Sequence, residues 1–157
     1  MQIIKVTDID KQHRIAIVVS REVQALADEL VKEASERLQE LEVPTDKLTV
    51  VYVPAADDIP LMAKMLTRQQ DYSAIIALGV LIQAPTSTAH VALRYACQEV
   101  SLACCAPVIF GLLTAETQDQ AQEWVLGPKG HRGREMADRA IEMLSVLQQL
   151  DSNALTE

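Results

Sequence analysis

The sequence predicts an α/β fold of three layers, with a four-stranded parallel sheet between two layers of helices. Three observations carry this expectation. Four short runs, residues 15–19, 48–53, 72–79 and 107–113, are apolar almost without a break, as strands covered on both faces are. Between them lie stretches whose apolar residues recur at helical spacing. The two kinds of segment alternate along the chain, which calls for crossover connections and therefore parallel strands.

Ile15-Ala16-Ile17-Val18-Val19, ending at Ser20, reads as the first strand, and Val23, Leu26, Ala27, Leu30, Val31, Ala34 and Leu38 form one face of the helix after it. Pro44 breaks the chain before a second strand, 48–53, which Pro54 closes. Asp57-Asp58-Ile59-Pro60 places acids and a proline where a helix begins, and Leu61, Met62, Met65 and Leu66 continue it. The third strand is expected at 72–79, followed by a hydroxyl-rich loop, Gln83-Ala84-Pro85-Thr86-Ser87-Thr88, and a helix from about Ala89 to Cys105. After the fourth strand, Thr117-x-x-Gln120 has the form of a capping box for a helix reaching about Leu126. Gly127 to Gly133 is expected as a turn. Met136, Ala140, Met143, Leu144, Leu147 and Leu150 are expected as the core face of a last long helix, and the tail from Asp151 as frayed.

At 157 residues the chain is expected to form one domain, 1–157, large enough for a real core without disulfides or metal. Apolar residues make up 49 % and charged residues 23 %, which excludes disorder for most of the chain. The net charge of −8 disfavours nucleic acid, whose phosphates an acidic surface repels, and aromatics at 3 % leave few rings for stacking bases. No run is long and apolar enough for a membrane span and the first residues lack a signal-peptide layout, so a cytoplasmic location is expected by default. Cys97, Cys104 and Cys105 lack metal-ligand spacing and are read as packing thiols. Two features point beyond a monomer. Residues 1–6 look strand-like with nothing local to pair with, and the helix near 89–105 carries only Arg94 and Glu99 as charges, more apolar surface than one sheet covers.

In parallel sheets ligands bind beyond the carboxyl ends of the strands, and those ends carry a resemblance. Arg14-Ile15-Ala16-Ile17-Val18-Val19-Ser20-Arg21, then Val53-Pro54-Ala55-Ala56-Asp57-Asp58-Ile59-Pro60, then Ile76-Ala77-Leu78-Gly79-Val80-Leu81-Ile82 occur in order. Pro107-Val108-Ile109-Phe110-Gly111-Leu112-Leu113-Thr114 and Gly130-His131-Arg132-Gly133 follow. Over roughly 15–150 the chain resembles the lumazine synthase family. The resemblance implies a flavodoxin-like sheet whose N-terminal segment pairs onto a neighbouring subunit, in a homo-oligomer: a pentamer, a decamer or an icosahedral shell. It implies a small-molecule site between subunits, with no metal and no organic cofactor. The implied reaction joins 5-amino-6-ribitylaminouracil to 3,4-dihydroxy-2-butanone 4-phosphate.

The implied site residues are Glu22, Ala56, Asp57, Asp58, Thr86, Ser87, Thr88, Phe110, Trp124 and Arg132 for binding, and His90 for proton transfer. Several depart from the family pattern. Where the family has an aromatic that stacks on the pyrimidine, this chain has Glu22, which also fits as an acid starting a helix. Asp58 keeps the acid that meets the ribityl hydroxyls, one methylene shorter, and equally fits as a helix N-terminal acid; Asp57 replaces an aromatic. In the phosphate loop the glycine is gone, Pro85 removes a backbone donor, and Thr88 stands where the catalytic histidine is expected. His90 follows two residues later; the stretch to Pro107 is shorter than usual, which leaves room for a shifted helix start. Trp124 replaces the arginine that binds phosphate, and Arg132 falls where the family has a lysine. Three readings follow: a diverged member that has lost or changed the reaction, a working synthase using His90 and Arg132, and an assembly protein with empty clefts.

Overall fold

A computed structural model describes residues 1–128 and 130–156, with side chains to Asp151. Its elements are β1 (Ile15–Ser20), α1 (Gln24–Glu40), β2 (Leu48–Val53), α2 (Ile59–Gln69), β3 (Ala74–Ile82), α3 (Ala89–Cys104), β4 (Val108–Ala115), α4 (Gln118–Leu126) and α5 (Arg132–Thr156). The four strands form one parallel sheet in the order β2-β1-β3-β4. The predicted three-layer α/β fold is therefore present. No helix among the described residues is long and apolar enough to cross a membrane.

The period of two along a strand divides the core. Ile15, Ile17, Val19, Ile76 and Leu78 face α1, α4 and α5, whereas Ala16, Val18, Ile75 and Ala77 face α2 and α3. β1 and β3, the inner strands, are buried throughout most of their length. β2 is an edge strand, so Val50 and Tyr52 emerge from it into solvent.

Three sequence expectations are corrected. β3 does not stop at Gly79 but continues to Ile82, because β4 offers partners as far as Ala115. Gly79 sits where β3 passes the end of β1: at φ +150° a Cβ there would lie 3.0 Å from Ser20 Cβ. Second, the expected turn 127–133 is cut short, since α5 begins at Arg132. Gly133 is thus helical, and it lets α5 close on α1: a Cβ on it would lie 2.5 Å from the Leu30 carbonyl oxygen. Third, the core stripe of α5 is Ala137, Ala140, Ile141 and Leu144; Met143 and Leu150 are largely exposed. Met136, Ala140 and Leu144 lie against the core as expected, and the stripe is rotated only enough to take in Ala137 and Ile141. Lys129 lies outside the described residues, as do the tail side chains from Ser152; the tail backbone continues α5 to Thr156.

The N-terminal residues form no strand within the chain, yet those that follow find partners on the distant α5. Thr7 N–H donates to Ser145 Oγ (2.6 Å) and Asp10 N–H to Gln148 Oε1 (2.7 Å), both on α5. Met1, Ile3 and Val6 stay exposed. α3 buries Leu93, Cys97 and Val100 and presents Val91, Tyr95 and Leu102 to solvent. Burial pushes the Cys97 thiol up to about 11, as expected for a packing thiol; Cys105, by contrast, is exposed at the left-handed cap of α3.

Candidate functional site

The strand register makes the carboxyl edge of the sheet a step. β1 and β2 end together at Ser20 and Val53, while β3 and β4 run on beyond the last β1–β3 pair, Val19 with Leu78. Most of the predicted residues fall on the two levels of this step, Phe110 being the exception.

On the lower level the acids hold backbone. Glu22 does not start a helix: α1 begins at Gln24 and has no acid in its first turn. Its carboxylate instead reaches across to the next strand end, where Glu22 Oε1 accepts the Ala56 N–H at 2.8 Å and the Ser20 hydroxyl at 3.1 Å. Asp58 Oδ2 accepts the Ala55 N–H at 3.1 Å. Two carboxylates thus satisfy the amides of the loop that turns into α2, the work an N-cap performs. Ala56 is buried beneath them, and Asp57 points into solvent.

On the upper level, Pro85 and Thr86 form the centre of a turn closed by the Ser87 N–H on the Ala84 carbonyl (2.9 Å). Ser87 Oγ accepts the Ala89 N–H at 3.3 Å, and the Thr88 carbonyl receives the Val91 amide. The Ser87 amide and the Ala84 and Thr88 carbonyls are therefore committed to shaping this loop. His90, in the first turn of α3, pairs its Nδ1 with Gln83 Nε2 at 2.8 Å. Gln83 is itself fixed, its N–H on the Ala115 carbonyl at 2.9 Å, and its Oε1 is buried with no partner among the described residues.

Across from this loop stands α4. Thr117 Oγ1 accepts the Gln120 N–H (3.1 Å), while Gln120 Oε1 takes the Glu116 N–H (2.9 Å), one residue earlier than the expected capping box. This orientation puts Trp124, 45 % exposed, between two cavities. One, of 240 Å³, is lined by Gln83, Ser87, His90, Thr114, Glu116 and Trp124. The other, of 530 Å³, lies between Trp124, Thr114, Glu123, Arg132 and Glu135. Arg132 therefore shares its cavity with two carboxylates.

The structure gathers Ser87, His90 and Trp124 around one cavity, with Arg132 in the second cavity that Trp124 also lines. It does not bring Phe110 to them. That ring is 6 % exposed in mid-β4, paired in register with Ala77 and covered by the Arg94 guanidinium 4.7 Å from its centroid. Phe110 lines a separate groove of 560 Å³ with Arg94, Leu102, Met143 and Leu147, at the free edge of β4. Gln83, which opens the loop 83–88, and Thr114 lie at strand ends where the sequence leads one to expect a ligand, although neither is among the expected binding residues; Glu116 carries no such signal. Extending the third strand by three residues would have placed Gln83 at its carboxyl end.

A family model described as 6,7-dimethyl-8-ribityllumazine synthase matches residues 12–148. Three relatives from Coxiella burnetii, of strains Dugway 5J108-111, CbuG_Q212 and RSA 493 / Nine Mile phase I, carry the same description. Each is 34% identical over 149 residues, spanning 90% of this chain and 96% of the relative.

Proposed function

The chain belongs to the 6,7-dimethyl-8-ribityllumazine synthase family of riboflavin biosynthesis, and from that premise we propose that it keeps the family's cleft as a ligand site while its synthase activity is lost or strongly reduced. One observation carries this reading: Trp124 forms the wall of both cavities at the ends of β3 and β4. A guanidinium there would offer a phosphate two charge-assisted hydrogen bonds; an indole offers a flat apolar face. Glu116, Glu123 and Glu135 add negative charge around the same ring, with Arg132 as the cation of the second cavity among the described residues. This environment favours a neutral or cationic planar molecule over a sugar phosphate. On the lower level, Glu22 and Asp58 spend their carboxylates on backbone amides, which competes with any polyol they would bind.

The test is an assay of pure protein with 5-amino-6-ribitylaminouracil and 3,4-dihydroxy-2-butanone 4-phosphate, following the fluorescence of the lumazine product. General acid–base catalysis alone is worth about 10²–10⁴ in rate, so turnover undetectable or lower than a family enzyme by at least that factor is expected. Robust product formation overturns the proposal. It would favour the second reading, an active synthase, for which the placing of His90 in a strand-end cavity speaks. In either reading the domain spans 1–157 and acts as a homo-oligomer, as a pentamer, a decamer or an icosahedral shell. The exposed Val91, Tyr95 and Leu102 of α3 support this, and also keep alive a third reading, a shell protein with unused clefts.

A further inference from the structure

Resting on the reading that the cavity beside Trp124 holds a ligand, we infer that Gln83 is a positioning residue: it keeps His90 protonated on Nε2 alone, so the cavity offers a ligand a hydrogen-bond donor and selects a planar heterocycle bearing a carbonyl acceptor. The argument begins with the amide. Gln83 N–H is held by the Ala115 carbonyl, so the residue is an ordered extension of β3. One end of its side-chain amide meets His90 Nδ1 at 2.8 Å, and the other is buried and unpartnered. The two ends differ in what burial costs. With Nε2 towards the imidazole, the orphaned atom is one carbonyl oxygen. With the amide turned over, the orphan is an NH₂ group with two donors, the more expensive group to leave unpaired. The amide therefore donates to Nδ1, and Nδ1 must be the unprotonated nitrogen.

A neutral imidazole whose Nδ1 accepts carries its hydrogen on Nε2. That nitrogen has no hydrogen-bond partner among the described residues, and the ring lines the 240 Å³ cavity. A ligand there meets an N–H, not a base. Trp124 supplies a face for a flat ring, and Glu116 at the rim discourages an anion. A carbonyl on a neutral heterocycle satisfies the donor and the stacking face together. Gln83 acts on the ligand only through His90.

Tautomers are read from long-range ¹H–¹⁵N correlations of the imidazole groups in the ¹⁵N-labelled full chain at neutral pH. The chain has three histidines, and His90→Gln assigns the signal of interest by its loss. The expected pattern has hydrogen on Nε2 and none on Nδ1. In Gln83→Glu the carboxylate can only accept, so Nδ1 gains a hydrogen. The neutral probe lumichrome, titrated against the fluorescence of Trp124, the only tryptophan, should bind the wild type and bind His90→Leu, which offers no donor, more weakly by roughly tenfold, the worth of one hydrogen bond. Inorganic phosphate should leave the fluorescence unchanged. Hydrogen on Nδ1 in the wild type overturns the inference, as does an unaltered His90 pattern in folded Gln83→Glu. Should that variant not fold, the wild-type spectrum beside that of Gln83→Met decides. The tautomer is read without ligand, so its failure is separate from failure of the ligand reading. The expected tautomer in a protein that ignores lumichrome overturns the ligand class and supports the positioning role.

Discussion

Glu22 shows how one residue type can serve two structural ends. An acid next to a helix start is ordinarily read as a dipole partner, yet here its carboxylate joins the ends of two strands through the Ala56 amide. That partner is distant in sequence, so no local pattern announces it. Glu22→Ala should therefore lower stability by about 1 kcal/mol, as loss of a helix cap does, measured by urea unfolding. Glu22→Gln, which keeps an acceptor oxygen, should recover part of the loss. Trp124 is the opposite case. Its departure from the family pattern is visible in sequence, and its place between two cavities is visible only in the fold. Trp124→Arg should raise affinity for inorganic phosphate by at least about tenfold, one charge-assisted hydrogen bond's worth, in a calorimetric titration. No gain would mean that the loop of residues 84–88, not the missing guanidinium, limits phosphate binding.

Among the elements, the pair α1 and α5 illustrates contact set by one atom. Gly133 lets the helices approach until a Cβ would meet the Leu30 carbonyl and the Glu33 side chain. Gly133→Ala should cost about 2–3 kcal/mol, the scale of overpacking a close contact, read by thermal or chemical unfolding. Beside this contact run the ion pairs Arg37–Asp138, Arg37–Glu40 and Arg134–Glu40. Hydrogen bonds from Arg134 and Arg37 hold the Glu40 carboxyl down to about 2, against an ordinary value of 4.5. A depressed folded value means that Glu40 contributes stability above the unfolded value, and loses it as pH falls from about 4.5 to about 2. The stability difference between wild type and Glu40→Gln should accordingly shrink across that window in pH-dependent melts. Glu33 behaves in the reverse sense. Burial is the main cause of its raised value, opposed by the Gly133 N–H it accepts. Its charged form is disfavoured in the folded state, so Glu33→Gln should gain stability at neutral pH and lose that gain as pH falls below the range where the carboxylate is charged.

The whole molecule carries large apolar side chains on its surface that its own core does not cover. Val91, Tyr95 and Leu102 lie along the outer side of α3, and a groove of 560 Å³ runs beside the free edge of β4. Light scattering should therefore give a mass several times that of one chain; a monomer at micromolar concentration would remove the assembly from the proposal. Tyr95→Glu, which puts a charge on an exposed position of that helix, should shift the assembly towards smaller species without unfolding the chain.

Strand number, parallel direction and both helical layers were legible in the sequence because each depends on local periodicity and alternation, and a buried parallel strand is apolar for its whole length. So were the Thr117 cap and the helix start before Pro60, which are local chemistry. The ends of elements were less so. β3 gained Val80, Leu81 and Ile82 from pairing with β4, and α5 gained its first turn by packing Gly133 against α1. The site followed the same division. Its residue types could be read along the chain, including the tryptophan in place of an arginine. Only the tertiary structure decided that Glu22 and Asp58 serve the backbone, that Phe110 belongs to another groove, and that Gln83 faces His90. Periodicity fixes which way a side chain turns within its own element. Which amide or ring it meets depends on the step between strand ends, a property of four strands aligned together.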